Sequence, residues 1–154
     1  MATPVSPTSP LSPDEVNRLV DETFPEIHAQ GRKLRIVSVG PEQVRVTLTL
    51  DPSSLRPGGT VSGPTLFTLA DFSIYAALLA HLGPKAIQAV TANLNITFLA
   101  RPEPVDLYAD ARLIRVGRTL VYAEVGLYSV GRDVMIAHAT GSYALPKSVS
   151  APKP

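Results

Sequence analysis

One carboxylate stands in the most apolar stretch of this chain: Asp71, inside PGGTVSGPTLFTLADFSIYAALLAHL at residues 57 to 82. A helix with no polar face is enclosed by protein, and an ionised group there is paired, hydrogen-bonded or in use. Asp71 is therefore the first candidate for chemistry, as a nucleophile at a carbonyl carbon or as general base for a water. The structural alternative is a buried Asp bonded to Ser or Thr as glue. Eight positions earlier, Gly63 and Pro64 begin the helix. A helix N-terminus offers oriented N–H groups and partial positive charge to a developing oxyanion. Gly63 lets a substrate approach the backbone closely, and Pro64 at the first helical position has a φ already suited to starting a helix. The donors left to polarise a carbonyl are the amides of Gly63 and Thr65.

Eight helical residues span about 12 Å, whereas donor and attacking group must lie within roughly 3 Å of one carbonyl group. Gly63 and Asp71 of one chain cannot both serve that carbonyl. A site that uses both takes Gly63 from one subunit and Asp71 from another, which requires at least a two-fold dimer.

The elements that position these residues belong to a single domain, since 154 residues support one substantial core and not two. A net charge of +1 with 18% charged residues makes no electrostatic case for nucleic acid or an anionic membrane, so a small-molecule partner is expected. The absence of cysteine excludes disulfides and thiol catalysis, and three histidines without HxxxH or HExxH spacing give no metal signal. Neither metal nor cofactor is expected. The N-terminus lacks the basic stretch and apolar run of a secretory signal, which makes a cytoplasmic location the default. Residues 65 to 82 approach the lower limit for a membrane span. Against that reading, Asp71 would sit in hydrocarbon, no Lys or Arg cluster flanks the stretch, and strand patterns follow it.

Seven of the fifteen prolines lie in residues 1 to 13 and 146 to 154 among Ser, Thr and Ala, a composition that cannot offset the entropy of ordering. Both ends are expected as disordered tails around a folded unit at 14 to 145. Ser12, Pro13, Asp14 and Glu15 have the form of a helix N-terminus, with Val16, Leu19 and Val20 as the apolar stripe of a helix to about Phe24. Residues 34 to 39 and 43 to 50 alternate around Pro41 as a hairpin. Gly83 and Pro84 stop the long helix. Extended runs follow at about 87 to 99, 105 to 116, 119 to 130 and 133 to 145, the last three forming an antiparallel meander across turn-like separators. In the first, Ala92, Leu94, Ile96 and Phe98 alternate with Thr91, Asn93, Asn95 and Thr97. Its apolar face must meet the long helix, so a curved antiparallel sheet wrapped around that helix is expected: an α+β fold.

This order of elements is similar to the hotdog fold. Within it, GGTVSGPTLFTLAD at residues 58 to 71 resembles the motif of PaaI-like acyl-CoA thioesterases, in which His-Gly-Gly precedes an aliphatic run and Leu-Ala-Asp or Leu-Ala-Glu. Gly63 matches the first motif glycine and Asp71 the catalytic carboxylate; TANLNITFLARP and AHATGSYALP resemble later strands of the family. Ser62 stands where the histidine is usual and Pro64 where the second glycine is usual. The resemblance covers about residues 34 to 145. It implies a hydrolase cleaving acyl-CoA to free acid and CoA, with sheets joined edge to edge through the strand at 87 to 99 and a homotetramer, as a dimer of dimers, commonly built on that.

Lesser candidates carry two readings each. Ser62 either replaces the motif histidine as a substrate or loop hydrogen bonder, or belongs to the turn before the helix. Tyr75, one turn after Asp71, either orients a water or the carboxylate, or is core. Asn93 and Asn95 line the dimer seam or face solvent. Arg101, Arg115 and Arg118 are available for the phosphates of coenzyme A, with Arg118 beside Gly117 the best of the three. His81 and His138 are expected to be structural, and His28 carries no signal. Phe67, Phe72, Tyr75 and Leu78 suggest an apolar pocket near the helix. A Ser-His-Asp hydrolase lacks its GxSxG elbow here, and a dehydratase of the same fold lacks its histidine. The principal alternative is a non-catalytic hotdog protein that binds acyl-CoA or an acyl carrier.

Overall fold

In the computed structural model, which describes residues 9–29, 31 and 33–147, Ser12 and Glu15 cap each other. Ser12 Oγ accepts the Glu15 N–H and the Glu15 carboxylate accepts the Ser12 N–H, both at 3.2 Å, opening α1 (Pro13–Thr23). Residues 1–8 and 148–154, where the tails are expected, lie outside the described residues. The contacts of the fold begin earlier than the expected boundary at Asp14: the Leu11 N–H donates to the Ala80 carbonyl at 2.9 Å, and the Leu11 side chain packs on the core. An apolar residue at the N′ side of a capped helix is held by what lies beneath it.

The hairpin follows as β1 (Leu34–Gly40) and β2 (Gln43–Leu48), turning through Pro41 and Glu42, whose φ is 59°. A loop then feeds α2 (Gly63–Leu82), which Gly83 ends at φ 73° with its N–H on the Leu79 carbonyl. The remaining strands are β3 (Val90–Phe98), β4 (Leu107–Val116), β5 (Leu120–Ser129) and β6 (Met135–Ala144). They form one antiparallel six-stranded sheet in the order β1-β2-β4-β5-β6-β3. β4, β5 and β6 are the expected meander, and β3 crosses over to pair with β6 at the sheet's end.

By length and composition α2 could cross a membrane, yet every residue from Phe72 to Ala80 is buried within the domain. The sheet makes room for it with small residues on its inner face, among them Ala109, Ala111, Ala123, Ala137 and Ala139. At Gly141 a Cβ would stand 2.8 Å from Leu94 Cδ1 and 3.0 Å from Ile74 Cδ1, so glycine there sets the distance between helix and sheet. Leu66, Leu69, Ile74, Leu78 and Leu79 of α2 are fully buried, each worth about 1.5–3 kcal/mol relative to exposure. His81, in the last turn, ties α2 to the hairpin: its ring nitrogens lie 3.0 Å from the Ala77 carbonyl and 2.9 Å from the Gly40 carbonyl.

β3 departs from simple alternation. Leu94 and Ile96 pack on the core as expected, but Ala92 and Phe98 are exposed. The register with β6 runs Asn93↔Ser142 and then Thr91↔Tyr143, so Ala92 is the extra residue of a β-bulge. The bulge flips the side-chain parity and turns Thr91, expected on the polar face, toward α2 (see below).

The two edges of the sheet are finished differently. At β1 the Asn17 side chain of α1 acts as a substitute strand: Nδ2 donates to the Ile36 carbonyl at 2.9 Å and Oδ1 accepts the Ile36 N–H at 3.0 Å. At β3 no described element covers the outer edge. Substituting Asn17→Ala leaves both Ile36 groups without a partner, and a loss of roughly 1–3 kcal/mol is expected, read as a lower denaturant midpoint at unchanged m-value.

Candidate active site

The loop between β2 and α2 is braced from inside. Asp51 begins it, paired with Lys33 and accepting from the Ser53 and Ser54 hydroxyls at 2.5 and 3.2 Å; Lys33 and these hydroxyls hold its carboxyl well below the usual carboxylate range. Beyond it Leu55 bridges to Val61, and the Gly59 N–H closes a turn on the Arg56 carbonyl at 3.0 Å. Pro57 and Gly58 take the central places of that turn, and the φ of 95° at Gly58 suits glycine. The Ser54 carbonyl then receives both the Ser62 N–H at 2.8 Å and the Thr65 hydroxyl at 3.2 Å. This fixes the start of α2.

Ser62 is the N-cap. Its Oγ accepts the Thr65 N–H at 3.3 Å and lies 2.8 Å from the Thr65 hydroxyl, so the Thr65 amide, expected as a possible oxyanion donor, is engaged by the cap. The Gly63 N–H has no acceptor among the described residues. Gly63 lines a cleft of about 750 Å³ with Val61, Leu66, Phe98 and Leu99, and with Arg56 and Arg101. Arg101 Nη2 reaches the Gly58 carbonyl at 3.4 Å, linking the end of β3 to the loop. Gly63 itself has an ordinary backbone conformation, and a Cβ there would meet Phe98 Cζ at 3.5 Å, a normal packing distance. Nothing among the described residues requires glycine at this position.

Asp71 lies elsewhere along α2, absent from the lining of that cleft. Its Oδ1 accepts from the Tyr143 hydroxyl at 2.6 Å and the Thr91 hydroxyl at 2.8 Å. Oδ2 has no hydrogen-bond partner among the described residues. The carboxylate is half-buried while Tyr143 is 4% exposed; burial first, and then the facing Asp71, push the phenol above its usual range, so it stays a donor. The chain thus carries a carboxylate with one oxygen held and one free, and a separate helix N-terminus with an unaccepted N–H opening on an apolar cleft.

The other candidates are dispersed. Tyr75 is buried, donates its hydroxyl to the Ile87 carbonyl at 2.7 Å and stacks on Tyr143 with centroids 6.1 Å apart, so its hydroxyl is not on the Asp71 carboxylate. Asn93 is exposed on β3, its Oδ1 accepting from Asn95 at 3.4 Å. Arg118 is exposed in the β4–β5 turn, at the end of the sheet where Leu120 pairs with Ala144 and Ala144 with Val90. That is the Thr91 end of β3, opposite the cleft. Of the arginines considered from sequence only Arg101 lines the cleft, joined by Arg56. Phe72, Tyr75 and Leu78 are core, and Phe67 is exposed. Two residues on Asp71 carry no mark in the spacing of the sequence: Thr91, which the bulge conceals, and Tyr143. Tyr143 carries a signal of another kind: it follows Ala137, Ala139 and Gly141 on one face of a strand, and a buried phenol needs an acceptor.

The family model of the thioesterase superfamily matches residues 58–136. A candidate esterase of Deinococcus radiodurans is 35% identical over 100 residues, 63% of this chain and 65% of that protein, so the match spans just under two thirds of the relative's length. A candidate thioesterase from Silicibacter sp. TM1040 superposes with a TM-score of 0.81 at 37% identity, covering 92% of this chain and 96% of the other. At 24% identity, a phenylacetic acid degradation-related protein of Ralstonia eutropha shares the fold with a TM-score of 0.72 over 84% of this chain and 98% of its own. With that family match, the enclosed helix and the crossed-over β3, the chain belongs to the thioesterase superfamily and has its hotdog fold.

Proposed function

We propose that the protein hydrolyses acyl-CoA thioesters at a site shared between two subunits. The observation that carries this reading is the bare edge of β3, with half of a site at each end. The Thr91 end carries the Asp71 carboxylate, and the Phe98 end carries the Gly63 N–H and its cleft. The ends are seven residues apart, about 23 Å along a strand. Two-fold antiparallel pairing of β3 with a second copy sets the Asp71 end of one subunit beside the Gly63 end of the other. Such pairing also satisfies the unpaired edge groups, which are otherwise an aggregation liability, and covers Val90 and Phe98, exposed by 61% and 55%. This assembly supplies the partner that the spacing of Gly63 and Asp71 demands, with a dimer of dimers as its extension.

In the shared site the Gly63 N–H and the α2 dipole polarise the thioester carbonyl. Asp71 Oδ2 then either takes a proton from the attacking water or bonds to the acyl carbon, forming an anhydride that water opens. On either route the C–S bond breaks, the electron pair leaves with CoA sulfur, and the acyl group departs as the free acid. The apolar walls of the cleft suit an acyl or pantetheine chain, and the Arg56 and Arg101 guanidiniums suit phosphate. A second reading, a binder without turnover, draws on Ser62: its hydroxyl is occupied by the cap and leaves no free donor where the family motif has histidine.

A panel of acyl-CoA thioesters with a thiol reagent separates the two. Release of thiol by wild type and a loss of roughly 10²–10⁴-fold in kcat for Asp71→Asn and Asp71→Ala are expected; tight binding without thiol release identifies the binder. For Ser62→Ala, loss of the cap predicts about 1 kcal/mol lower stability and an unchanged KM, checked by thermal melts beside steady-state kinetics; a raised KM would instead assign Ser62 to substrate. On dilution through the dimer dissociation range, followed by sedimentation, specific activity should fall with the dimer fraction. A fully active monomer rules the shared site out.

A further inference from the structure

The inner face of β6 reads Ala137, Ala139, Gly141, Tyr143: three small residues that let α2 approach, then one large side chain. Tyr143 is the exception because α2 carries Asp71 opposite it. The Tyr143 hydroxyl lies 2.6 Å from Asp71 Oδ1 and 3.0 Å from the Asp71 main-chain carbonyl, so one phenol grips both side chain and backbone of the same residue. The main-chain carbonyl alone would satisfy a buried phenol. The contact to the carboxylate is the shorter, and Thr91 adds a second donor at 2.8 Å to the same oxygen. The ring is seated by Tyr75, which is itself anchored to the Ile87 carbonyl.

We propose that Tyr143 is a positioning residue for the reaction: by fixing Oδ1 it sets the rotation of the Asp71 carboxylate and makes Oδ2 the reacting oxygen. This rests on the reading of Asp71 as the reactive group given above. Two donors on one oxygen hold the carboxylate plane against free rotation about χ2, which is otherwise broad for Asp. Alignment of a reacting oxygen is a term in kcat, not in ground-state binding. Tyr143 lies too deep to touch substrate, so it acts only through Asp71.

The test is Tyr143→Phe, which keeps the ring and its stack on Tyr75 and removes only the hydroxyl. Loss of a hydrogen bond to a charged group predicts a fall in kcat of roughly 10- to 100-fold, with KM within about twofold of wild type on this reading. In the Asp71→Asn background the same substitution should cause no further loss in kcat. Thr91→Val, which takes the second donor from the same oxygen, should show the same signature of lower kcat at constant KM. Melting curves establish that each variant is folded. If Tyr143→Phe keeps wild-type kcat while Asp71→Asn is inactive, the positioning role is overturned and the reading of Asp71 stands. A raised KM at unchanged kcat also overturns it, assigning Tyr143 to the shape of the binding site. If Asp71→Asn retains wild-type kcat, both fall together.

Discussion

A helix with no polar face has to be wrapped, and most of this structure follows from that necessity. Nine consecutive residues of α2, Phe72 to Ala80, are buried, so the sheet must curve round them and α1 and Leu11 must close what it leaves open. Close wrapping in turn dictates side-chain size: alanines and Gly141 stand where the strands cross the helix. The same enclosure makes a carboxylate in α2 expensive, and Asp71 is tolerated where β3 and β6 end, half-open to solvent and supplied with two hydroxyl donors.

The start of the helix is held as firmly by a different device. Ser54 gives one carbonyl to both Ser62 and Thr65, while Asp51 holds the Ser53 and Ser54 hydroxyls and the Lys33 ammonium. The cap consumes the Thr65 amide and leaves that of Gly63. A loop braced at its base and turned through Pro57 and Gly58 presents that amide without needing to rearrange, the condition under which a dipole stabilises a developing charge at low cost.

The legible parts of the fold were those written in local chemistry. The Ser12 cap, the Gly83 stop, the hairpin at Pro41 and the three-strand meander all depend on residues within a few positions of one another. The enclosed helix and its carboxylate were legible for a different reason: a polar group in an apolar run is conspicuous whatever surrounds it. What escaped depends on long-range register. Thr91 faces Asp71 only because Ala92 bulges against β6, and a bulge leaves no mark on a strand that alternates regularly. Tyr143 meets Asp71 across 72 positions. Arg56 and Arg101 share a cleft because the loop and the end of β3 converge in space, so their pairing was invisible, while Arg118 stands at the other end of β3, the one that carries Asp71.

The Asn17 side chain on β1 bears on how far such a protein can assemble. A sheet with two free edges can add copies at both and grow into an open ribbon. Here one terminus of the hydrogen-bond ladder is spent on an amide from the chain's own first helix, which leaves a single growing end. A sheet with one open edge can pair through strands with a single second copy, and the growth stops there. Asn17, with α1 behind it, thereby limits strand-to-strand growth at the β1 edge.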